Sequence, residues 1–164
     1  MSLPGLPWTI SEAGRRFADR TAYVTPAGWV LTYSDVDRIS DEVAVGLAAR
    51  GVGAGDVVAL VLPPGPEYLL TYAAAAKLGA VTAGVNDRLS QRERESVIAV
   101  AGPRIVVTAD EAPPAGSTAT VLDALRVRDG VPPVLPDDPD RPVAIIFTSG
   151  TTGLPKGALY CNRQ

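Results

Sequence analysis

Residues 57–62 of the chain, Val-Val-Ala-Leu-Val-Leu, are the stretch that decides the fold. All six are apolar, and the run lacks the alternation of apolar and polar residues that marks a strand with one face in water. A strand that helices cover on both faces has this composition, and such strands belong to parallel sheets. The run therefore predicts a central strand of a parallel sheet.

Helical patterns lie on both sides of this strand. Before it, apolar residues recur every three or four positions between Ser34, which we expect to cap a helix, and Gly51, which we expect to end it. After it, a helix is expected between Pro66 in its first turn and Gly79 at its far end.

The alternation continues towards the C-terminus. Residues 80–85 predict a strand, a capping box from Ser90 to Glu93 opens a helix that runs to about Ala101, and residues 105–108 predict the next strand. This order predicts an α/β fold, with a mainly parallel sheet, helices on both faces and right-handed crossovers.

The remaining segments are shorter or irregular. Residues 10–18 predict a first helix, and residues 22–25 and 29–33 predict a β-hairpin. The stretch from about 109 to 142 is rich in proline, and we expect an irregular surface excursion there with one short helix at 121–127.

Composition limits the possible partners. The 164 residues are 46 % hydrophobic and 20 % charged, with a net charge of -3 and no cluster of Lys and Arg, so binding to nucleic acid or to an anionic membrane surface is not expected. No apolar stretch approaches the roughly 20 residues that span a bilayer. With one cysteine and no secretory pattern at the N-terminus, a cytoplasmic location is expected.

A loop rich in glycine and hydroxyl groups follows a predicted strand at residues 143–147. Residues 147–157 are Phe-Thr-Ser-Gly-Thr-Thr-Gly-Leu-Pro-Lys-Gly. The glycines permit backbone angles that turn successive N–H groups towards an anion, and the hydroxyls add uncharged donors. Because Lys156 supplies a positive charge, the mixture predicts a phosphate-binding loop at residues 148–157.

This loop is not a Walker-type P-loop. That motif places a glycine before its lysine, whereas Pro155 precedes Lys156 here and Gly157 follows it. On composition alone, a flexible connection would be the simpler explanation of such a stretch.

The eleven residues resemble the signature loop of the adenylate-forming superfamily: acyl- and aryl-CoA synthetases, peptide-synthetase adenylation domains and firefly-type luciferases. Similarity to CoA ligases extends upstream through residues 31–33, 53–59 and 77–81. Two positions depart from the pattern, because residues 82–86 lack the proline often found before that asparagine and Asn162 stands where many relatives have histidine. Residues 1–164 thus resemble the N-terminal part of an AMP-binding (adenylation) domain.

The resemblance implies a two-step reaction. A carboxylate attacks the α-phosphate of Mg-ATP to give an acyl-adenylate and pyrophosphate, and a thiol then takes the acyl group. The implied cofactors are ATP, Mg²⁺ and coenzyme A, and the implied substrate is a carboxylic acid. Because a carboxylate is ionised at neutral pH, the first step needs no general base, and catalysis depends on positioning and on neutralising phosphate charge.

By the same resemblance, the loop holds the β- and γ-phosphates, and Lys156 is the implied catalytic residue. The residues for acid, adenine and thiol would lie after position 164, and the metal ligands stay open. The implied nucleotide-binding residues are Thr148, Ser149, Gly150, Thr151, Thr152, Gly153, Lys156 and Gly157.

Three hypotheses for the function follow. The leading one is an acid–CoA ligase of the kind that activates fatty or aryl acids. An amino-acid-activating domain of a peptide synthetase would share the loop, and a non-catalytic module for phosphate binding or assembly is the alternative of another class. We expect the 164-residue chain alone to be inactive, and to associate with itself or with the remainder of its parent through the uncovered strand at 143–147.

Other candidate residues have structural explanations. Glu67 and Lys77 lie at opposite ends of one predicted helix, where the helix dipole favours each charge without a catalytic pairing. Cys161 is interpreted as a packing residue rather than an acyl-carrying thiol. Three acids in the proline-rich stretch could bind a metal, but a solvated turn is favoured there; they are Asp137, Asp138 and Asp140. Core or interface roles are favoured over ligand contacts for Trp8, Trp29, Tyr68 and Tyr72.

Overall fold

A computed structural model describes residues 5–25, 28–109, 118–148 and 155–163 of the chain. The helices are α1 (Leu6–Phe17), α2 (Tyr33–Ala49), α3 (Pro66–Leu78) and α4 (Gln91–Ala101), with a 3₁₀ turn at Asp123–Leu125. The strands are β1 (Thr21–Val24), β2 (Val30–Thr32), β3 (Val57–Val61), β4 (Val81–Gly84), β5 (Ile105–Thr108), β6 (Ala119–Thr120), β7 (Pro142–Thr148) and β8 (Lys156–Cys161).

Six strands form one sheet in the order β6-β5-β3-β4-β7-β8. β3 lies between β4 and β5 and is parallel to both. β6 and β7 continue the parallel pairing on either side, and β8 alone among the described strands of this sheet runs antiparallel to its neighbour. The α/β fold and the central place of β3 are therefore confirmed, as is the separate hairpin of β1 and β2.

Helices cover both faces of β3. Val58 and Leu60 belong to a buried apolar cluster with residues of α2 and α3. Ala59 and Val61 belong to a second cluster, which includes Val97 of α4. Since side chains alternate between the faces of a strand, a strand buried on both sides needs apolar residues at every position.

Local signals place the ends of α3 and α4 correctly. Gly79 follows α3 in the left-handed conformation, with φ 71°, and its N–H bonds back to carbonyls of the last turn. At the start of α4, the Ser90 hydroxyl accepts from the N–H of Glu93, and the Glu93 carboxylate accepts from the N–H of Ser90 at 2.9 Å. The predicted capping box is confirmed.

The cap of α2 differs from the prediction. Thr32, not Ser34, is the N-cap, and its hydroxyl accepts from the N–H of Asp35 at 3.1 Å. The Asp35 carboxylate accepts from the N–H of Thr32 at 3.1 Å in return. This reciprocal pair, which Ser34 does not make, places the helix start at Tyr33.

The helix dipole is an incomplete explanation of Lys77. Its side chain is 4 % exposed, and Nζ lies 2.6 Å from a carboxylate oxygen of Asp37 and 2.6 Å from one of Asp41. It also donates to the main-chain carbonyl of Asp37 at 2.8 Å. Lys77 therefore links α3 to α2 through buried ion pairs with Asp37 and Asp41. The sequence of α3 alone does not predict these contacts.

The described part of the proline-rich stretch packs against the rest of the fold, whereas an irregular surface excursion was expected. It contributes β6 to the sheet, and the expected short helix is only the 3₁₀ turn. Leu125 in that turn is fully buried. Arg126 donates to the Glu42 carboxylate at 2.7 Å, and the N–H of Val127 donates to the Glu42 carbonyl at 3.1 Å. These contacts fix the stretch against α2.

The three acids of this stretch contact protein groups. Asp137 accepts from the N–H of Gly5, Asp138 from the N–H of Asp140, and Asp140 forms an ion pair with Arg163. Within the described ranges, no group of three potential ligands could hold a metal ion. Over the same ranges, no helix has the length and apolar character needed to cross a membrane.

Candidate functional site

The carboxyl ends of β3, β4 and β7 meet at one edge of the sheet because these strands are parallel. Ligands of open α/β sheets bind in the crevice outside this edge. β7 ends there at Thr148, the first residue of the predicted phosphate-binding loop. The fold thus puts the loop where such sheets bind their ligands.

The described ends of the predicted loop belong to two paired strands, so the loop does not extend to residue 157 as predicted. Lys156 and Gly157 are the first residues of β8 and pair with Thr148 and Phe147 of β7. The antiparallel ladder therefore shortens the connection to residues 149–155. Five of the implied nucleotide-binding residues lie outside the described residues: Ser149, Gly150, Thr151, Thr152 and Gly153.

Thr148 and Lys156 meet at the base of this connection. They are directly opposite each other in the ladder, and the Thr148 hydroxyl donates to the Lys156 carbonyl at 3.4 Å. Both residues are exposed. An exposed hydroxyl and an exposed ammonium group on either side of a glycine-rich sequence are donors suited to a phosphate group.

Gly157 has a different role from the one expected. Its φ is outside the left-handed region, so unusual backbone angles do not explain the glycine. A Cβ at this position would lie 2.6 Å from Cγ2 of Ile145 and 3.2 Å from the ring of Phe147. Gly157 therefore lets β8 close against the side chains of β7.

β7 is parallel to β4, as predicted, but it is only half-buried. Ile146 is 50 % exposed and Leu159 on β8 is 58 % exposed. The prediction of a buried strand is thus too strong, because the described helices pack on the sheet over β3 and its neighbours and leave this hairpin uncovered.

A cavity of about 660 Å³ opens beside the hairpin at the same sheet edge. One wall comes from the ends of β3 and β4 and the turn after β4, where the side-chain oxygen Oδ1 of Asn86 accepts from the N–H of Arg88 at 3.0 Å. The lining residues are Leu62, Pro64, Tyr68, Gly84, Val85, Asn86, Asp87, Arg88, Ile146 and Phe147.

Tyr68 belongs to α3 and lines this cavity. A Cβ on Gly84 would lie 2.7 Å from its hydroxyl oxygen, so the ring reaches β4 only because residue 84 has no side chain. Burial raises the pKa of the Tyr68 hydroxyl. The predicted core role of Tyr68 is confirmed in part, because its ring also packs against the larger buried apolar cluster.

Other residues singled out from the sequence lie away from this edge. Cys161 is at the opposite end of β8 from Lys156, roughly 17 Å along the strand. Asn162 accepts from the N–H of Leu6 at 3.3 Å and donates to the Asp138 carbonyl at 2.8 Å, so its side chain joins three segments at that far end. Trp8 and Trp29 are 54 % and 61 % exposed, which does not fit a core role. Tyr72 is half-buried against the larger core cluster.

Comparison with known proteins identifies the family of the chain. The family model described as "AMP-binding enzyme" matches residues 10–164. The chain is 37 % identical to 4-coumarate–CoA ligase 1 of Oryza sativa subsp. japonica, over 84 % of this chain and 29 % of the relative. It is 29 % identical to the long-chain-fatty-acid–CoA ligase FadD13 of Mycobacterium tuberculosis, over 99 % of this chain and 36 % of that protein.

A solved structure shares the fold. NpsA-ThdA, an artificially fused adenylation-PCP di-domain NRPS from Klebsiella oxytoca, superposes with a TM-score of 0.85 and 29 % identity, over 99 % of this chain and 34 % of that one. The chain thus spans about a third of the length of these relatives. Since the family model covers nearly all of it, the chain belongs to the AMP-binding enzyme family.

Proposed function

We propose that this chain is part of an ATP-dependent acid–thiol ligase, which activates a carboxylic acid as an acyl-adenylate and transfers it to coenzyme A. The observation that carries the proposal is the pairing of Thr148 with Lys156 at the carboxyl edge of the sheet, beside a cavity of about 660 Å³. This arrangement supports adjoining sites for a phosphate donor and a second substrate.

The described residues suit the first step. The exposed ammonium group of Lys156 balances negative charge on the phosphates, and the Thr148 hydroxyl gives a donor without charge. A carboxylate needs no general base, so the protein has to hold two anions together against their repulsion. We propose that the masking of phosphate charge by Lys156 is its catalytic contribution.

Mg²⁺ would arrive with the nucleotide. Magnesium sites commonly use one or two carboxylates together with substrate phosphates and water. The ion would neutralise phosphate charge when bound, while Lys156 and the loop amides orient the phosphates.

The acid is proposed to be an aryl or fatty acid, and the thiol coenzyme A. The names of the two CoA ligases described above support this class, and a role in fatty acid metabolism would follow if the acid is aliphatic. Transfer to a carrier protein is the second candidate, which the likeness to the adenylation-PCP di-domain favours.

The test is product identification. The chain, extended by the rest of its parent protein, is incubated with Mg-ATP, coenzyme A and a panel of aryl, fatty and amino acids, and the products are analysed by mass spectrometry. We expect an acyl-CoA and AMP. Amino acids activated without a CoA thioester would favour the peptide-synthetase alternative, and phosphate binding without AMP formation would favour a non-catalytic module.

A further inference from the structure

The cavity beside the β7–β8 hairpin has one polar group on a largely apolar wall. That group is the hydroxyl of Tyr68, which reaches the cavity from the first turn of α3. The other polar residues of the lining follow β4 directly in the chain and are Asn86, Asp87 and Arg88. The apolar residues of the lining are Leu62, Pro64, Val85, Ile146 and Phe147.

The strand register places this hydroxyl on the same face of the sheet as Ile146. Ala83 pairs with Ile145 in the parallel ladder of β4 and β7, and Gly84 and Ile146 are the next residues of these strands. A Cβ on Gly84 and the side chain of Ile146 therefore project from one face. The Tyr68 hydroxyl lies 2.7 Å from the position of that Cβ, so it stands over the carboxyl end of β4. β7 reaches the start of the phosphate-binding loop two residues after Ile146.

The Tyr68 hydroxyl is uncommitted and open to the cavity. Within the described ranges it has no hydrogen-bond partner, and burial alone raises its pKa. Every fully enclosed polar side-chain atom of the described residues has a partner. Since the Tyr68 hydroxyl has none, it is not fully enclosed, and a ligand in the cavity can reach it. A raised pKa keeps it protonated at neutral pH, so it can donate a hydrogen bond.

We propose that Tyr68 determines specificity in this cavity, because its hydroxyl donates a hydrogen bond to an oxygen atom on the otherwise apolar arm of a substrate. This inference rests on the proposed function. The apolar lining suits the hydrocarbon part of such an arm. A ligand without the oxygen would cover the hydroxyl and leave it unpaired, which lowers affinity.

Two substrates of the proposed reaction can carry such an oxygen. One is an aryl acid with a hydroxyl group on its ring. The other is the thiol, because the arm of coenzyme A that ends in the thiol contains amide carbonyl groups. Both substrates have to reach the acyl carbon beside the phosphate, at the edge of the sheet where the cavity opens. The shared chemistry is an oxygen acceptor within a slender apolar arm.

Binding to the parent protein tests the proposal without depending on turnover. Titration calorimetry measures the Kd of benzoate, of 4-hydroxybenzoate, which differs from it by one hydroxyl group, and of pantetheine, the thiol arm of coenzyme A. Tyr68→Phe should weaken binding of an oxygen-bearing probe about tenfold and leave benzoate unchanged. Weakening of 4-hydroxybenzoate alone would identify the acid as the source of the oxygen, and weakening of pantetheine alone would identify the thiol.

Tyr72→Phe is the matched control. Tyr72 lies one turn further along α3, is also partly buried and has a pKa that burial raises, but it does not line the cavity. This variant should leave all three affinities unchanged.

Unchanged binding of both oxygen-bearing probes in Tyr68→Phe would overturn the proposal. An equal effect of the two variants would do the same, as would an equal loss for benzoate, which has no ring oxygen to accept from the hydroxyl. Failure of the proposed function would show separately, as absence of thioester and AMP in the native parent protein, because the binding measurement needs no product.

Discussion

Gly84 shows how one absent side chain shapes the cavity beside the loop. It ends β4, and the space that its Cβ would occupy is taken by the hydroxyl of Tyr68, 2.7 Å away. Strand propensity would favour a larger residue here, since glycine weakens a strand interior. The glycine is explained by the approach of α3 to the sheet.

The close approach of Tyr68 to Gly84 gives a prediction about single substitutions. Gly84→Ala should lower the free energy of unfolding by about 1 kcal/mol, because the tyrosine must move away from the new methyl group. Tyr68→Phe in the same background should restore most of the loss, with a coupling energy of at least about 0.5 kcal/mol. The coupling energy is measured by urea unfolding of the native chain, the two single variants and the double variant. Tyr72→Phe is the control, and an equal rescue by it would show that Tyr68 does not occupy the space over Gly84.

Gly46 controls the packing of a whole element against another. It lies on α2, where a Cβ would be 1.6 Å from the carbonyl oxygen of Leu125. Because that neighbour is main chain and Leu125 is fully buried, the contact cannot relax by a rotamer change. The close approach of the 3₁₀ turn to α2 depends on this glycine.

Gly46→Ala should therefore destabilise the fold by roughly 1–3 kcal/mol, the usual cost of overpacking, although alanine is the better helix former by about 1 kcal/mol. The control is Gly53→Ala, where the nearest atom to an added Cβ is 3.8 Å away. Chemical denaturation of both variants tests the contact. Equal stability of Gly46→Ala and the native chain would show that residues 123–125 do not pack on α2 as described.

Glu42 gives the same junction a dependence on pH. Burial alone would raise its pKa, but hydrogen bonds from Arg126 and Arg38, with their charges, outweigh burial and lower the pKa below the ordinary 4.5. A carboxyl group whose pKa is lower in the folded state stabilises the fold above its unfolded pKa. That stabilisation is lost as the pH falls through the folded value.

The variant Glu42→Gln should thus be less stable than the native chain by about 1–3 kcal/mol near neutral pH, and the difference should shrink as the pH falls below about 4.5. Unfolding free energies over a pH series measure it. Glu12→Gln, at an exposed ion pair with Arg15, should show little difference throughout. A difference for Glu42→Gln that stays constant with pH would contradict the role of its charge.

The elements that could be predicted from the sequence are those with local signals. The apolar run of β3, the glycine after α3 and the capping box of α4 each lie within a few residues of the feature they determine. Thr32 rather than Ser34 caps α2 because Asp35 completes a reciprocal pair of hydrogen bonds with Thr32. The sequence alone did not decide between these two residues. The buried pairing of Lys77 with α2 and the contact at Gly46 join residues far apart in the chain, so no local pattern contains them.

The candidate site also combines residues that a local sequence pattern identifies with contacts between residues far apart in the chain. The loop motif identifies both Thr148 and Lys156 from their neighbours in sequence, whereas their position opposite each other and the start of β8 at Lys156 follow from strand pairing. Tyr68 and Gly84 reach the cavity from separate elements. Their meeting depends on how α3 packs on the sheet, which composition and spacing do not specify.

At the scale of the whole molecule, the β7–β8 hairpin is the part of the sheet that the described helices leave uncovered. Among the described strands β8 lies at an edge of the sheet. Three apolar side chains of the hairpin are 40–58 % exposed: Ile146 on β7, and Leu159 and Tyr160 on β8. Such an edge recruits another strand or surface. We expect the chain Met1–Gln164 to self-associate and to release no AMP in the presence of acid, coenzyme A and Mg-ATP.

Leu159→Lys should shift the isolated chain towards monomer in size-exclusion chromatography with light scattering, because a charge on the strand face opposes pairing. Val134→Lys, at a position that is 97 % exposed and away from the hairpin, is the control. A native chain that stays monomeric at high concentration would contradict this prediction, as would an equal effect of both variants.

The central claim is that Lys156, at the mouth of the β7–β8 hairpin, holds ATP phosphate during activation of an acid. Exchange of labelled pyrophosphate into ATP by the parent protein measures that step alone, without the thiol. We expect exchange that requires the acid, and that falls roughly 10²-fold in Lys156→Ala, as when one preorganised donor is lost. Arg163→Ala, at the other end of the hairpin, should leave it unchanged. Exchange at the native rate in Lys156→Ala would contradict the account.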